Sequence, residues 1–236
     1  MTGGRRLPGP GLPARLREIS GLLARRFGRP EACGHEIAPV RNLVLTILSQ
    51  NTTDANRDRA YEALVTRFPT VPALAAAKPS EVEEAIRVGG LAKAKARSIL
   101  GALGRLKEER GDYSLEFLRS MPLPSARAYL TSFPGIGVKT ANILLLFSFG
   151  LPAFPVDTHI LRVTKRLGLV PDKADLAKAA LSLEPHVPEK EHGPLHLNLI
   201  RLGREVCRPR NPLCEGCPLL PACPEGIRRR KGKPPA

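Results

Sequence analysis

Two residues in this chain are of the types that could share covalent chemistry. Lys139 stands in Phe133-Pro134-Gly135-Ile136-Gly137-Val138-Lys139-Thr140-Ala141-Asn142, and Asp157 in Val156-Asp157-Thr158-His159-Ile160. An amine attacks electron-poor carbon only when uncharged, and a carboxylate beside it can stabilise developing positive charge or assist proton transfer. The positive end of a helix beginning near Val138 disfavours an ammonium in its first turn, which helps expose a neutral amine at Lys139. Taken alone, Lys139 reads first as a surface cation for phosphate, and Asp157 as an N-cap of the helix after it. A helix over 138–149 would be about 18 Å long. The connector 150–156, stiffened by Pro152 and Pro155, is about as long when extended. That reach permits Asp157 to return beside Lys139, where capping would fix the carboxylate for chemistry.

The turn that carries Lys139 has its own reading. Gly135 and Gly137 flank the apolar Ile136, so the backbone is free to take positive φ and to approach a ligand closely. The turn leads into a helix N-terminus, whose unpaired N–H groups favour an anion. Ile136 can anchor the turn in the core below. A helix–hairpin–helix of this kind holds a nucleic-acid phosphate without reading base sequence; the plainer alternative is a tight turn with a chance Gly-x-Gly.

A second constellation lies near the C-terminus. Of the five cysteines, Cys33 stands alone, while Cys207, Cys214, Cys217 and Cys223 fall within 17 residues. In a reducing compartment such a group is read as a metal site before a disulfide framework. The spacing Cys-x6-Cys-x2-Cys-x5-Cys contains a single Cys-x2-Cys knuckle. That suits a [4Fe–4S] cluster better than a two-knuckle zinc site, with zinc as the alternative.

The elements that must position these groups read as helices throughout. Apolar stripes of helical period run through Leu43, Val44, Ile47 and Leu48, and through Tyr61, Leu64, Val65 and Phe68. Ser80 with Glu83 predicts a capping box for a helix over 81–88 that stops at Gly89 and Gly90. Further helices are expected over about 94–110, 125–133, 138–149 and 194–205, after Asp157, and after Asp172 or Asp175. Nine or ten short helices make an all-α protein. Arg228 to Lys233 reads as a disordered basic tail.

Composition sets the partner class. Over 236 residues, 37 Lys and Arg against 22 Asp and Glu give a net charge of +15. A field that positive favours a polyanion. Aromatic residues make up 4% with no Trp, which argues against a broad stacking face. No apolar run approaches the ~18 residues of a spanning helix, and the Gly/Pro-rich basic start is unlike a secretory leader. A cytoplasmic, nucleoid-associated monomer is expected.

The segments 133–142 and 156–160 and the four-cysteine tail, in this order and spacing, closely resemble the endonuclease III family of helix–hairpin–helix DNA glycosylases, over about Leu43 to Cys223. The resemblance implies two domains. One is a six-helix barrel over 32–151; the other is a cluster domain built from 1–31 and 152–225, with 226–236 as a basic tail. It implies Lys139 as Schiff-base nucleophile, Asp157 as its carboxylate partner, and a [4Fe–4S] cluster on the four cysteines. The partner would be double-stranded DNA containing damaged bases or abasic sites. Gly135, Ile136, Gly137, Thr140, Lys93 and His159 would belong to the DNA-binding site. Asn51 falls where the family usually has a glutamine that fills the gap of a flipped base, with Gln50 beside it, and Leu91 matches the second wedge. Thr131 stands where the family often has an acid, eight residues before the lysine. The activity implied is a bifunctional glycosylase/AP lyase for oxidised or saturated pyrimidines. The alternative is a DNA-binding module of the same fold with weak or lost catalysis.

Overall fold

The computed structural model describes residues 11–31 and 37–232. Cys33 and His35, and the last four residues of the basic tail, lie outside them. The chain divides into two compact units, Cys33–Pro155 and Met1–Ala32 with Val156–Ala236. All regular structure among the described residues is helical, and no helix there is long and apolar enough to cross a membrane.

In chain order the first helix is α1 (Leu12–Phe27), which belongs with the C-terminal part. The Cys33–Pro155 unit then holds α2 (Pro39–Leu48), α3 (Asp54–Arg67), the single turn α4 (Val71–Ala75), α5 (Pro79–Ala85), α6 (Ala92–Arg110), α7 (Leu123–Thr131) and α8 (Val138–Phe149). The remaining unit continues with α9 (Thr158–Arg166), α10 (Leu176–Leu183), α11 (His192–Glu205) and α12 (Pro224–Arg230).

The centre of the Cys33–Pro155 unit is α2 against α8. Both helices are apolar nearly all round, as buried helices must be. Val40, Leu43, Val44, Ile47 and Leu48 pack in one cluster with Ala141, Leu144, Leu145 and Phe149. Within it, buried Asn42 Nδ2 donates to Ser148 Oγ at 2.6 Å, which satisfies two polar groups that would otherwise be costly to bury. α6 contributes the stripe Ala96, Ile99, Ala102, Leu103 and Leu106, and α7 contributes Ala126 and Leu130. In the other unit, α11 packs on α9 and α1. There Ser20 of α1 donates to Glu191 at 2.5 Å, Arg29 pairs with the same carboxylate, and Arg15 donates to the carbonyls of Leu167 and Gly168.

Several helix starts differ from expectation. α5 begins at Pro79 rather than Glu81, because proline at the first position has φ preset and no N–H to satisfy. Its capping contact is accordingly Lys78 N–H donating to Glu81 at 2.9 Å, not a Ser80–Glu83 box. α10 takes Asp175, not Asp172, as its cap. The expected disordered tail is a correction: Arg228, Arg229 and Arg230 lie in α12. Glu225 in its first turn pairs with Arg228 and, at 2.6 Å, with Arg229, and the Cys223 sulfur accepts from Gly226 N at 3.3 Å. Those i,i+3 and i,i+4 pairs offset the repulsion of the basic run.

Candidate functional site

The hairpin is seated from below. Phe133 and Ile136, 2% and 4% exposed, belong to the core cluster, whereas Gly135 and Gly137 lie at the surface. Ile136 N–H donates to Phe133 carbonyl oxygen at 3.1 Å to close the turn. Gly135 has φ +76°, and a side chain there would overlap the hydroxyl of Ser98 on α6. Both facts require glycine. Gly137 is the N-cap of α8 and offers no side-chain acceptor. The first N–H groups of α8 are thus left for an outside acceptor, with the dipole behind them.

Lys139 lies in the first turn of α8, part-exposed, with no hydrogen-bond or ion-pair partner among the described residues. Thr140 beside it is buried, and its Oγ1 accepts from Gln50 Nε2 at 3.2 Å. Gln50 Nε2 also lies 3.2 Å from Gly135 carbonyl oxygen. The structure therefore joins Gln50, Gly135 and Thr140 to the lysine's turn. Asn51, at φ +50°, is exposed and adopts the left-handed conformation that asparagine tolerates. Leu91, also at φ +50° and 59% exposed, caps α6; Lys93 is exposed one residue into that helix's first turn. Leu91 is thus a large apolar residue held outward in a backbone conformation disfavoured for its type.

Asp157 and His159 belong to the other unit. Asp157 caps α9: its Oδ1 accepts from Ile160 N–H at 2.8 Å, and Oδ2 has no hydrogen-bond partner among the described residues. His159 Nδ1 accepts from Arg162 at 3.2 Å. Arg162 extends further, donating to Gly203 carbonyl oxygen at 2.8 Å and Cys207 carbonyl oxygen at 3.0 Å. Burial pushes the Arg162 pKa down. No motif singles out Arg162 or Arg166 in the sequence, since a basic residue every four positions is also the pattern of a solvated helix face.

The four cysteines form no disulfide and, half-buried, line one cavity with Arg166 and Arg229. Arg166 donates to the Cys207 sulfur at 3.3 Å, to Arg208 carbonyl oxygen at 2.8 Å and to Pro209 carbonyl oxygen at 3.0 Å. Burial pushes the Cys214 and Cys223 thiols up, and Cys217 to about 11. Such thiols give up their protons most readily to a metal centre that supplies the compensating charge.

Lys95 on α6 is a further unanticipated feature. It is 2% exposed and donates to the carbonyls of Leu48 at 2.7 Å and Gly89 at 2.8 Å. Its available signal was register, because position 95 falls in the apolar stripe continued by Ala96, Ile99, Ala102 and Leu103.

Comparison with known proteins is consistent with this geometry. Residues 44–186 match the HhH-GPD superfamily base excision DNA repair protein model. Endonuclease III of Thermotoga maritima is 34% identical over 218 residues, 92% of this chain and 96% of that protein. Endonuclease III of Bacillus subtilis is 33% identical over 193 residues, covering 82% and 84%. The solved structure of a trapped endonuclease III–DNA covalent intermediate, an estranged-adenine complex, superposes with a TM-score of 0.77 at 30% identity, over 92% of this chain and 98% of that one. The chain belongs to the HhH-GPD superfamily of base excision DNA repair proteins, and within it to the endonuclease III family of DNA glycosylases and AP lyases.

Proposed function

We propose that the chain excises oxidised or saturated pyrimidines from double-stranded DNA through a lysine Schiff base and then cleaves the strand by β-elimination. The observation that carries this reading is the unpaired Lys139 amine in the first turn of α8, on a hairpin whose N-cap glycine leaves that helix end open to phosphate. Extruding a base costs a few kcal/mol and least for lesions that stack poorly, which favours saturated and oxidised pyrimidines.

In the proposed reaction the Lys139 nitrogen lone pair forms a bond to C1′. The N-glycosidic bond breaks, and its electron pair leaves with the base, which takes up a proton. Asp157, oriented by its cap bond to Ile160, stabilises positive charge developing on the sugar and assists removal of the proton from the amine. The C1′–O4′ bond then opens, its electron pair going to O4′, which takes up a proton, while the nitrogen lone pair makes the C1′=N iminium. Loss of a C2′ proton from that iminium breaks the C3′–O3′ bond and expels the 3′ phosphate. Gln50 and Asn51 from one turn and Leu91 from another would occupy the space vacated by the flipped base.

Cys207, Cys214, Cys217 and Cys223 would hold a [4Fe–4S] cluster. They line a shared cavity, and four thiolates with a single Cys-x2-Cys knuckle suit a polynuclear centre better than zinc. When bound, the cluster would fold its loop and so present the nearby Arg204, Arg208 and Arg210 to phosphate. The enzyme would work as a monomer in the cytoplasm, on nucleoid DNA.

Borohydride trapping tests the nucleophile. A covalent adduct is expected on abasic and oxidised-pyrimidine duplexes, with the adduct lost in Lys139→Gln. Equal trapping by the variant would remove Lys139 from the role. A second reading rests on Thr131, whose hydroxyl donates to Arg127 carbonyl oxygen at 2.9 Å where the family often presents an acid. It makes the chain a lesion-binding protein with weak turnover. Tight binding without multiple-turnover cleavage across a lesion panel would favour it.

A further inference from the structure

Lys95 is the one Lys, Arg, Asp or Glu side chain that is buried among the described residues. A buried ammonium is ordinarily paired with a carboxylate. This one faces two carbonyl oxygens instead, those of Leu48 and Gly89. Leu48 ends α2, so its carbonyl is one of the four that a helix leaves unpaired. Gly89 ends the 3₁₀ turn Arg87–Gly89 and packs so closely on α3 that an added methyl would lie 3.2 Å from Ala60 Cβ.

The residues just beyond each carbonyl give the contact its meaning. Two residues after Leu48 comes Gln50, bonded to the hairpin, and then exposed Asn51 at φ +50°. Directly after Gly89 come Gly90 at φ +70° and outward-held Leu91 at φ +50°. One nitrogen atom therefore joins the roots of two turns, Leu48 and Gly89, that are 41 residues apart in sequence.

We propose that Lys95 is a positioning residue that couples the Gln50–Asn51 turn to the Leu91 turn, so that both enter a DNA duplex as one rigid unit. This rests on the reading of those turns as the duplex-inserting elements. The buried site suits the role. Carbonyl–ammonium bonds in a dry interior are stronger than in water, and removing their donor strands two buried acceptors. Residues 48–51 and 89–91 would then fluctuate separately, and separately mobile wedges must be ordered at each encounter with DNA.

The test compares two substrates for the full-length, cluster-loaded enzyme: one abasic site in a duplex, and the same abasic strand unpaired. An unpaired strand presents its sugar without base-pair opening, so it reports chemistry apart from insertion. Lys95→Met is expected to slow single-turnover strand cleavage by about tenfold or more on the duplex, and by about threefold or less on the single strand. Lys95→Arg should recover part of the loss. Equal loss on both substrates, or none on either, overturns the proposal. Leu91→Ala separates this from the underlying reading. If it cleaves the duplex at the unaltered rate, the insertion reading fails and takes the proposal with it. If it is slow while Lys95→Met is normal, the Lys95 proposal alone fails. Should Lys95→Met not fold, amide exchange of the unaltered chain decides. Common opening of the Gln50 and Gly90 amides supports the coupling, and opening rates that differ by more than about tenfold overturn it.

Discussion

The hairpin at 133–142 and the cysteine loop at 207–223 are both short turns on which the proposed function depends, yet they are held in opposite ways. The hairpin rests on Phe133 and Ile136, both in the core. Its polar contacts are few, notably Gln50 to Gly135 and Thr140. Within the loop only Leu219 is buried, and its backbone is strapped by arginine: Arg162 to Cys207, and Arg166 to Arg208 and Pro209. A phosphate-binding turn must keep its shape without ligand, which apolar anchoring achieves. A metal-binding loop gains its order with the metal, so directional straps that aim the thiols suffice beforehand.

The largest test of this contrast is Ile136→Ala. Truncating a fully packed isoleucine is expected to cost about 3 kcal/mol in denaturant unfolding. DNA binding should weaken at temperatures where the variant is still folded. The visible absorbance of the bound cluster should be unchanged under native conditions. A loss of cluster absorbance in parallel with hairpin function would mean that the two regions are not independently held.

Gly135→Ala comes next. At φ +76° an alanine carries backbone strain of about 1–2 kcal/mol, and its methyl would overlap the Ser98 hydroxyl. Adding Ser98→Gly removes the overlap but not the strain. The double variant should therefore recover part of the lost stability and less of the DNA affinity. Full recovery of both would show that the positive φ carries no cost and that crowding alone demands glycine.

The hairpin was the more legible region for a physical reason. Gly135-Ile136-Gly137 followed by a helical stripe is a local pattern, and α8 spans 138–149 as the sequence predicts. Asp157 as the cap of α9 was equally local. What escaped depended on partners distant in sequence or on competition between neighbouring signals. Lys95 reads as surface because lysine usually is, and its two acceptors lie 47 and 6 residues back. The basic run before 231 reads as a tail until Glu225 supplies its opposite charge. Helix starts slid by two residues wherever proline or a preceding cap competed with the predicted one, as at Pro79 and at Leu123. The four cysteines stood out as a candidate ligand set from spacing, and the structure gathers them around one cavity, while the arginines that hold their loop were not legible.

The smallest expected effect falls on the loop and completes the contrast. Arg166→Met keeps most of the side-chain length but removes the bonds to Arg208 and Pro209 carbonyls and to the Cys207 sulfur. At about 0.5 kcal/mol for each of these largely exposed bonds, the low end for a net hydrogen bond, local opening of the loop should become easier by about 1–2 kcal/mol. Global stability should hardly change, because the loop buries so little apolar surface and Arg162 still holds Cys207. Amide exchange is the right measurement, since Leu213 and Cys217 both donate within the loop, to Val206 and Cys214. Their exchange should quicken about tenfold in the metal-free variant and much less once the cluster is bound, because the ligand then takes over the work of the strap. Uniform quickening that includes the buried amides of α8 would mean that Arg166 supports the whole molecule. The separation between a core-seated turn and a strapped loop would then be wrong.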